Sequence, residues 1–344
     1  MRHCGLIRNQ GFCPPDLRST QANTSRVRFG AFVSSLILAV VSIGAVRAGL
    51  QQPAAPPQSP KPRAQLTPAE IEIYKRAQTL IDWTPHQIHD CPLLHKLRPA
   101  RSQDQLTMVL KRVGQTLTLL FHDFPQIACD EEVVSEALSI GHRGMPGSTE
   151  PRKFHYIVIP RAMGDFPAFE EYRTDLKGNP RDASNLGDLL MITSNFVSTG
   201  LYLSTANRPD SNFRHFGIQA IRNRECHIVG FAQDPERVHS IGLFVFRGKS
   251  VALLVQGLAW IDSETFQLLR IKTWLLAPRA DIGLIVQAST VDFYPVQPSG
   301  VERALWLPRD VTVVGDYRGI WFRNTHHYSN FKLFRVSTTI KSAE

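Results

Sequence analysis

The sequence predicts an α+β, mainly β protein: one large curved antiparallel meander sheet packed on a helix, with a helical region before it. From residue 154 onward apolar residues recur with a period of two, which is typical of strands with one buried face. Short polar turns separate many of these stretches, and such turns force neighbouring strands to run antiparallel. Only 186–203 is apolar without alternation, so its first half, to about Val197, is predicted to be the helix that the sheet covers.

The first 48 residues have the features of an export signal. An uncharged stretch, 29–46, follows Arg26 and Arg28 and ends at Val46-Arg47-Ala48, which provides a small residue for cleavage. A cleaved signal peptide and an uncleaved anchor both remain open, because a membrane span needs about 20 apolar residues. Either interpretation places the body of an exported, bacterial-type protein in the periplasm or another extracytoplasmic space.

The positive charge is concentrated in this leader. Residues 1–48 contain six arginines and one acidic residue, so the net charge of +9 falls to +4 without them. No run of Lys and Arg interleaved with aromatic residues follows. The composition therefore argues against nucleic-acid binding.

A proline-rich linker separates the leader from the folded part. Five of the thirteen residues in 51–63 are proline, and such a stretch cannot bury a core. We therefore expect a tether over 49–66, a helical region over 67–150 and an antiparallel β-domain over 151–344.

The helical region begins with a strong start signal. Thr67 is followed by proline and then by Glu70, the pattern of a capping box, and apolar spacing predicts a helix over 68–80. The same spacing predicts a second helix over 102–113. Two further short elements are expected over 117–124 and 131–140.

The β-domain contains about ten predicted strands. They cover 154–160, 168–175, 215–221, 226–232, 243–246, 251–261, 266–276, 284–294, 311–317 and 321–340, the last broken near Asn330. Residues 222–224, 247–249 and 262–265 are the predicted short turns.

Three cysteines follow the leader. Cys91 and Cys129 are candidates for a disulfide in an oxidising compartment, where closing that loop would contribute about 3–4 kcal/mol. Cys226 lies in a strand pattern and is expected to be a buried free thiol. No C-x-x-C motif occurs, so neither a redox centre nor a zinc knuckle is predicted.

The sequence carries no recognisable catalytic signature: no G-x-S-x-G, H-E-x-x-H, G-x-G-x-x-G or P-loop. We therefore predict a protein that is not an enzyme and has no cofactor. The densest polar cluster places Glu171, Arg173 and Asp175 on one face of a strand. We interpret it as a cross-strand ion-pair ladder on a solvated face.

The pair His326-His327 raises the question of a metal site. Adjacent strand residues point to opposite faces, so these two cannot easily bind one ion together. Partners such as His215 and His227 cannot be placed from sequence. No metal site is predicted, and these histidines are expected to be surface or half-buried residues.

The most distinctive segment is a hairpin over 256–270. Gly257 and Ala259 leave room on one face of its first strand, and Trp260 supplies bulk on the other. Asp262 starts the turn, and Asp262 and Arg270 are a candidate ion pair near it.

This Gly-x-x-Trp-Ile-Asp strand, tight turn and second strand with Arg resemble the exported lipoprotein-carrier (LolA-like) superfamily, over about 154–340. The resemblance implies an incomplete β-barrel, a helix across its opening and an apolar hollow for acyl chains. It assigns no ligand residue to a position in this chain.

A sheet with apolar residues on both faces carries more apolar surface than a one-sided sheet can hide. The residues concerned would line either a packed core or a ligand hollow; they are Leu253, Val255, Phe266, Leu268, Trp274, Ile285 and Trp306. The leading hypothesis is an envelope protein that binds an apolar or lipid-like ligand on the concave face, with basic groups at the rim. The alternative is a non-enzymatic structural or interaction module that docks another envelope protein.

Overall fold

The computed structural model describes eight ranges of the chain, to which every structural statement below refers. They are 66–123, 126–137, 150–163, 166–181, 197–239, 242–246, 249–298 and 304–334. The predicted leader lies outside these ranges, as does the predicted helix over 186–197 except for Val197. Within them, no helix combines the length and the apolar character that crossing a membrane requires.

The helices are short except for one. The α-helices are α1 (Pro68–Lys75), α2 (Pro85–Asp90) and α3 (Asp104–Asp123), and the 3-10 helices cover Leu80–Asp82, Pro92–Leu94, Val197–Leu203, Arg208–Asp210 and Ala280–Ile282. The predicted capping box at Thr67 and Glu70 is confirmed, although α1 ends at Lys75 and not near residue 80. The second predicted helix extends to Asp123.

Fourteen strands account for most of the remaining described residues. They are β1 (Arg98–Pro99), β2 (Gln126–Ala137), β3 (Arg152–Met163), β4 (Phe166–Thr174), β5 (Pro180–Arg181), β6 (Ser211–Ile221), β7 (Arg224–Gln233), β8 (Gly242–Phe246), β9 (Lys249–Leu253), β10 (Val255–Asp262), β11 (Leu268–Leu275), β12 (Leu284–Val296), β13 (Leu305–Tyr317) and β14 (Ile320–Phe334). Twelve of them form one antiparallel sheet in the order β1-β6-β7-β10-β11-β12-β13-β14-β2-β3-β4-β5, and β8 pairs with β9 apart from it. The predicted fold class, a mainly antiparallel unclosed sheet with a few helices, is confirmed.

The sheet curves around its helical filling. The 3-10 helix Val197–Leu203 contacts both β4 and β11, which are six places apart in the strand order. In a flat sheet these strands would be separated by about 29 Å, at about 4.8 Å per strand. They can share one short helix only because the sheet bends, so it has a concave face.

Each face of the curved sheet has its own apolar cluster, because successive side chains of a strand point to opposite sides. On β10, Ala259 and Ile261 belong to the concave core, which α3 and Val197–Leu203 cover. Leu258 and Trp260 belong to the cluster on the convex face. The room that Gly257 leaves on the concave side is occupied by the ring of Phe231, which a Cβ at residue 257 would meet at 3.0 Å.

Residues 80–97 cover the convex face, and polar strand side chains bind their backbone. The Gln256 Oε1 atom accepts from Leu80 N at 2.7 Å. Arg214 donates to the carbonyls of Ile81 and Trp83 at 2.9 and 2.6 Å. These bonds satisfy backbone groups that irregular structure leaves without partners, so the segment can pack against the sheet at low cost.

The predicted strands are found within the described ranges, with two differences; residues 335–340 of the last predicted strand lie outside those ranges. The segment 251–261 is divided at Leu254 between β9 and β10. The segment 131–140, placed in the helical region by sequence, lies largely in β2. That strand pairs with both β14 and β3 in the interior of the sheet. Its acidic run 130–132 hides the apolar alternation in the sequence.

The helices that pack on the concave face are α3 and Val197–Leu203.

The predicted bridge between Cys91 and Cys129 is wrong. Cys91 is disulfide-bonded, whereas Cys129 is a free, buried thiol. Cys91 lies in the convex cluster and Cys129 in the concave core, on opposite sides of the sheet, which a disulfide cannot span. The buried free thiol predicted for Cys226 is confirmed.

Candidate functional site

An apolar hollow opens on the concave face where β13, β14, β2 and β3 meet. The space free of atoms in and around it is about 300 Å³, a volume that includes space open to solvent. Its surface is entirely apolar and is formed by Ile127, Cys129, Tyr156, Val158, Val197, Leu307, Pro308, Tyr328 and Phe331.

The hollow lies where two neighbouring strands part. The ladder between β13 and β14 ends at Asp310 and His327. Beyond this point residues 305–308 pair only with β12, and residues 328–334 pair only with β2. Pro308, at the parting, has no N–H to donate across the gap.

Both parting strands are irregular at this level. The register of β13 against β12 shifts so that Asp310 pairs with Asp292 while Pro308 pairs with Phe293. The register of β14 against β2 shifts between Ser329 and Lys332, which confirms the break predicted near Asn330. The hollow is therefore a product of strand geometry and not only of side-chain size.

Two tyrosines form one wall of the hollow and direct their hydroxyl groups away from it. The rings of Tyr156 and Tyr328 lie with centroids 5.0 Å apart at an interplanar angle of 47°. The Tyr328 hydroxyl donates to Glu131 at 2.9 Å, and the Tyr156 hydroxyl donates to Glu171. The ring surfaces that face the hollow are therefore apolar.

A buried ionic cluster lies behind this wall. Arg173 donates from Nε and Nη2 to the two oxygens of Glu131, with Nη2 to Oε1 at 2.8 Å. His326 Nδ1 lies 2.8 Å from Glu131 Oε1, and since a carboxylate only accepts, Nδ1 is the donor. Glu131 and His326 are 1% and 0% exposed, so solvent does not screen these contacts.

The charge states of the cluster follow from burial and contact. Burial favours the neutral acid at Glu131, but the hydrogen bond from His326 and the charge of Arg173 outweigh it and lower the pKa of Glu131 to about 2. Burial lowers the pKa of His326, although its bond to Glu131 opposes the shift. At neutral pH the cluster thus contains the Glu131–Arg173 ion pair and a neutral imidazole.

The thiol in the hollow is not activated. Burial, followed by the charge of Glu131, raises the pKa of Cys129 far above its usual value. A thiol without thiolate character is a poor nucleophile. The wall can therefore hold an apolar group, and its one cysteine behaves as a small apolar residue.

Three of the residues predicted to line a hollow belong to the apolar cluster of the concave side. Leu268 is buried in the concave core, and Val255 and Phe266 pack against it. Phe266 also stacks on His227, with ring centroids 6.1 Å apart. These three lie outside the lining of the hollow.

The other predicted residues lie elsewhere. Trp274 is in the convex cluster, and Leu253 packs with Leu275 and Leu284 in a separate cluster. Ile285 is 41% exposed. Trp306 is half-buried and contacts both the concave core and the convex cluster.

The predicted solvated ladder at Glu171, Arg173 and Asp175 is wrong. Arg173 is 8% exposed and pairs with Glu131 of β2, a strand that sequence did not place beside it. Asp175 instead accepts from Asn179 in the following turn and from Arg181 in β5. The apolar alternation of Tyr156 and Val158 was the signal for a buried face at this point.

The histidine prediction is half right. His326 and His327 point to opposite faces, as predicted, and His327 pairs with Asp310 at 2.6 Å. His326 is fully buried, however, because its side chain lies on the concave side, where it contacts Glu131 and stacks on Tyr328. His215 and His227 are also buried, with Nε2 and Nδ1 3.2 Å apart.

The two charged residues of the hairpin at 256–270 do not pair with each other. The candidate pair of Asp262 and Arg270 is wrong: Arg270 binds both oxygens of Asp292 at 2.7 and 2.9 Å, and Asp262 accepts from Arg224 at 2.6 Å. Across the described ranges, no three His, Cys, Asp or Glu side chains are grouped to hold a metal ion.

Comparison with known proteins finds similarity in structure only. No protein-family model and no curated protein matches the sequence. A DUF1329 family protein from Desulfovibrio piger is 10% identical with a TM-score of 0.38, covering 67% of this chain and 93% of its own. A putative outer membrane lipoprotein-sorting protein domain from Vibrio parahaemolyticus is 8% identical with a TM-score of 0.35, covering 65% and 91%. A LolA superfamily protein from Nitrosomonas europaea is 9% identical with a TM-score of 0.34, covering 66% and 94%. These neighbours include the superfamily that the hairpin at 256–270 resembles.

Proposed function

We propose that the protein binds a lipid-like ligand whose hydrocarbon part occupies the hollow between β13 and β14. The observation that carries the proposal is the entirely apolar lining, from which the hydroxyls of Tyr156 and Tyr328 are turned away. Each methylene buried there would contribute about 0.8 kcal/mol. A polar head group would find no partner inside and would remain at the open side.

The charge states support binding over catalysis. The thiol of Cys129 is held protonated, and the carboxylate of Glu131 is tied to Arg173 and His326. Neither is poised to attack a substrate or to exchange a proton with one. A carrier or binding protein needs only the shape and the apolar surface.

We further propose that this binding takes place in the cell envelope. The support comes from the uncharged stretch 29–46 with its basic flank, which is typical of export signals.

The first test is a titration of the delipidated full-length protein with the fluorescent fatty acid cis-parinaric acid. We expect saturable binding by the wild type. Val158→Phe fills the hollow and should lower the affinity at least about tenfold, the equivalent of losing about two methylenes. Ile285→Phe is the matched control, because that residue is 41% exposed on another strand, and its affinity should be unchanged.

Two buried thiols supply a second readout. Cys129 lines the hollow, whereas Cys226 lies in the filled convex cluster. Site-resolved mass spectrometry after N-ethylmaleimide treatment should show that cis-parinaric acid slows the labelling of Cys129 and leaves that of Cys226 unchanged. Absence of saturable binding, or undiminished binding by Val158→Phe, would refute the proposed function.

A further inference from the structure

The strand that forms one side of the hollow contains a residue in an unusual backbone conformation. Asn330 has a φ of 54°, in the left-handed region that residues other than glycine rarely enter. It lies where Ser329 pairs with Asp130 and Lys332 pairs with Ala128, so two residues of β14 stand opposite Cys129 alone. This arrangement is a β-bulge, a feature that often redirects a side chain near a functional site.

The bulge decides which side of the sheet the following side chains occupy. Tyr328 faces the concave core and Ser329 lies on the other side. In a regular strand the alternation would continue and place Phe331 on the convex face and Lys332 in the core. Because of the extra residue, Phe331 and Leu333 pack against the concave core, and Lys332 is exposed.

The side chain of Asn330 adds a bond across the bulge. Its Nδ2 atom donates to Asp130 Oδ2 at 2.7 Å. The other oxygen of Asp130 lies 3.2 Å from His155 Nδ1 on β3. The bulge is thereby tied across two neighbouring strands, on the side of the sheet opposite the hollow.

We infer that Asn330 is a positioning residue for the ligand, because the bulge it forms turns Phe331 into the wall of the hollow beside Tyr328 and Cys129. The inference rests on the proposed function and deepens it, since it names the backbone feature that shapes the binding surface. Asn330 itself does not line the hollow. Its effect on a ligand is indirect and passes through the ring of Phe331.

The test compares two substitutions at Asn330 with one at a matched position. Asn330→Val opposes the left-handed conformation and should lower the affinity for cis-parinaric acid about tenfold. Asn330→Gly adopts that conformation freely and should stay within about twofold of the wild type. Asn223, with a φ of 60° in the turn between β6 and β7, is the control. Asn223→Val should lose about as much stability as Asn330→Val and keep the wild-type affinity for cis-parinaric acid.

Phe331→Ala is a second variant that leaves the bulge intact, for use where Asn330→Val does not fold. It should weaken binding to a similar extent, and unchanged binding would overturn the inference. Equal affinity of Asn330→Val and the wild type, or equal losses in Asn330→Val and Asn223→Val, would also overturn it.

The reaction rate of Cys129 with N-ethylmaleimide separates this inference from the proposed function. If the wild type binds no fatty acid, the proposed function fails. The bulge then still predicts a changed labelling rate in Asn330→Val and Phe331→Ala. The rates in Asn330→Gly and Asn223→Val should match the wild type, and an unchanged rate in Asn330→Val would contradict the inference.

Discussion

The two faces of the sheet are covered in different ways. On the convex face Trp83 stacks on Trp274 with centroids 6.4 Å apart and meets Phe216 edge-on, and Trp260 donates to Gln219 at 2.7 Å. That cluster is filled by residues 80–97. On the concave face α3 and Val197–Leu203 cover the core, and the apolar hollow beside β13 and β14 is open to solvent.

The difference shows that a hollow needs more than apolar side chains, because filling is the normal outcome of packing. On the convex side an irregular segment adapts to the sheet and its backbone is bound by Gln256, Gln219 and Arg214. On the concave side parted strands create the space, and the ionic cluster at Glu131 holds the tyrosine wall in one position. Buried ion pairs add little net stability, so a role in rigidity fits this one.

Breaking the ionic cluster should have the largest effect on stability. Glu131→Ala leaves Arg173 buried without its carboxylate and should lower the free energy of unfolding by about 3–5 kcal/mol. Chemical denaturation would measure this loss in the free energy of unfolding. Arg237→Ala, which removes an exposed pair with Asp234, should change it by less than about 1 kcal/mol. Similar losses in the two variants would show that the cluster does not hold the wall.

Adding volume to each face tests the contrast directly. Ala288 is 2% exposed in the filled convex cluster. Ala288→Leu inserts bulk there and should lower the free energy of unfolding by about 1–3 kcal/mol. Val158→Phe adds bulk in the hollow and should cost less than about 1 kcal/mol, because the space is already there. Thermal and denaturant unfolding of both variants would measure the two losses in the free energy of unfolding. Equal losses would mean that the hollow is not open in solution.

The pH dependence of the free energy of unfolding should report the protonation of the histidine behind the wall. The folded-state pKa of His326 is lowered by burial, so below its ordinary value of about 6.5 the unfolded chain binds more protons than the folded one. Stability is therefore full above pH 6.5 and declines as the pH falls. His215, whose pKa burial and the nearby His227 lower to about 4, acts in the same direction.

Denaturation at pH 7 and pH 5 would measure this smaller effect. His326→Gln should reduce the loss of stability between the two pH values, because the buried imidazole that resists protonation is removed. A loss that persists unchanged in His326→Gln would show that this imidazole does not resist protonation.

Much of the fold could be predicted because its signals are local. Alternation marks a strand wherever one face is buried, and the left-handed residues Arg222 and Asn223 form the kind of tight turn that joins antiparallel neighbours. The capping box at Thr67 and the break near Asn330 are also local features. Each depends only on residues that are close in the chain.

The candidate site could not be predicted in this way. Ile127 and Cys129 belong to a strand whose acidic residues obscure its period, and that strand lies between β14 and β3 only in the folded sheet. The sequence pattern places Arg173 on a polar face, but Glu131 buries it. The hollow itself depends on where β13 and β14 stop pairing.

The sequence by itself determined most of the strands, their antiparallel order within hairpins and the alternation of their faces, because these follow from backbone geometry and from the nearest residues. Only the tertiary structure decided which strands became neighbours, which charges became buried pairs and where two strands parted. The physical reason is that the burial of a charge such as Glu131 is tolerable only beside a partner, and Arg173 and His326 come from distant parts of the chain.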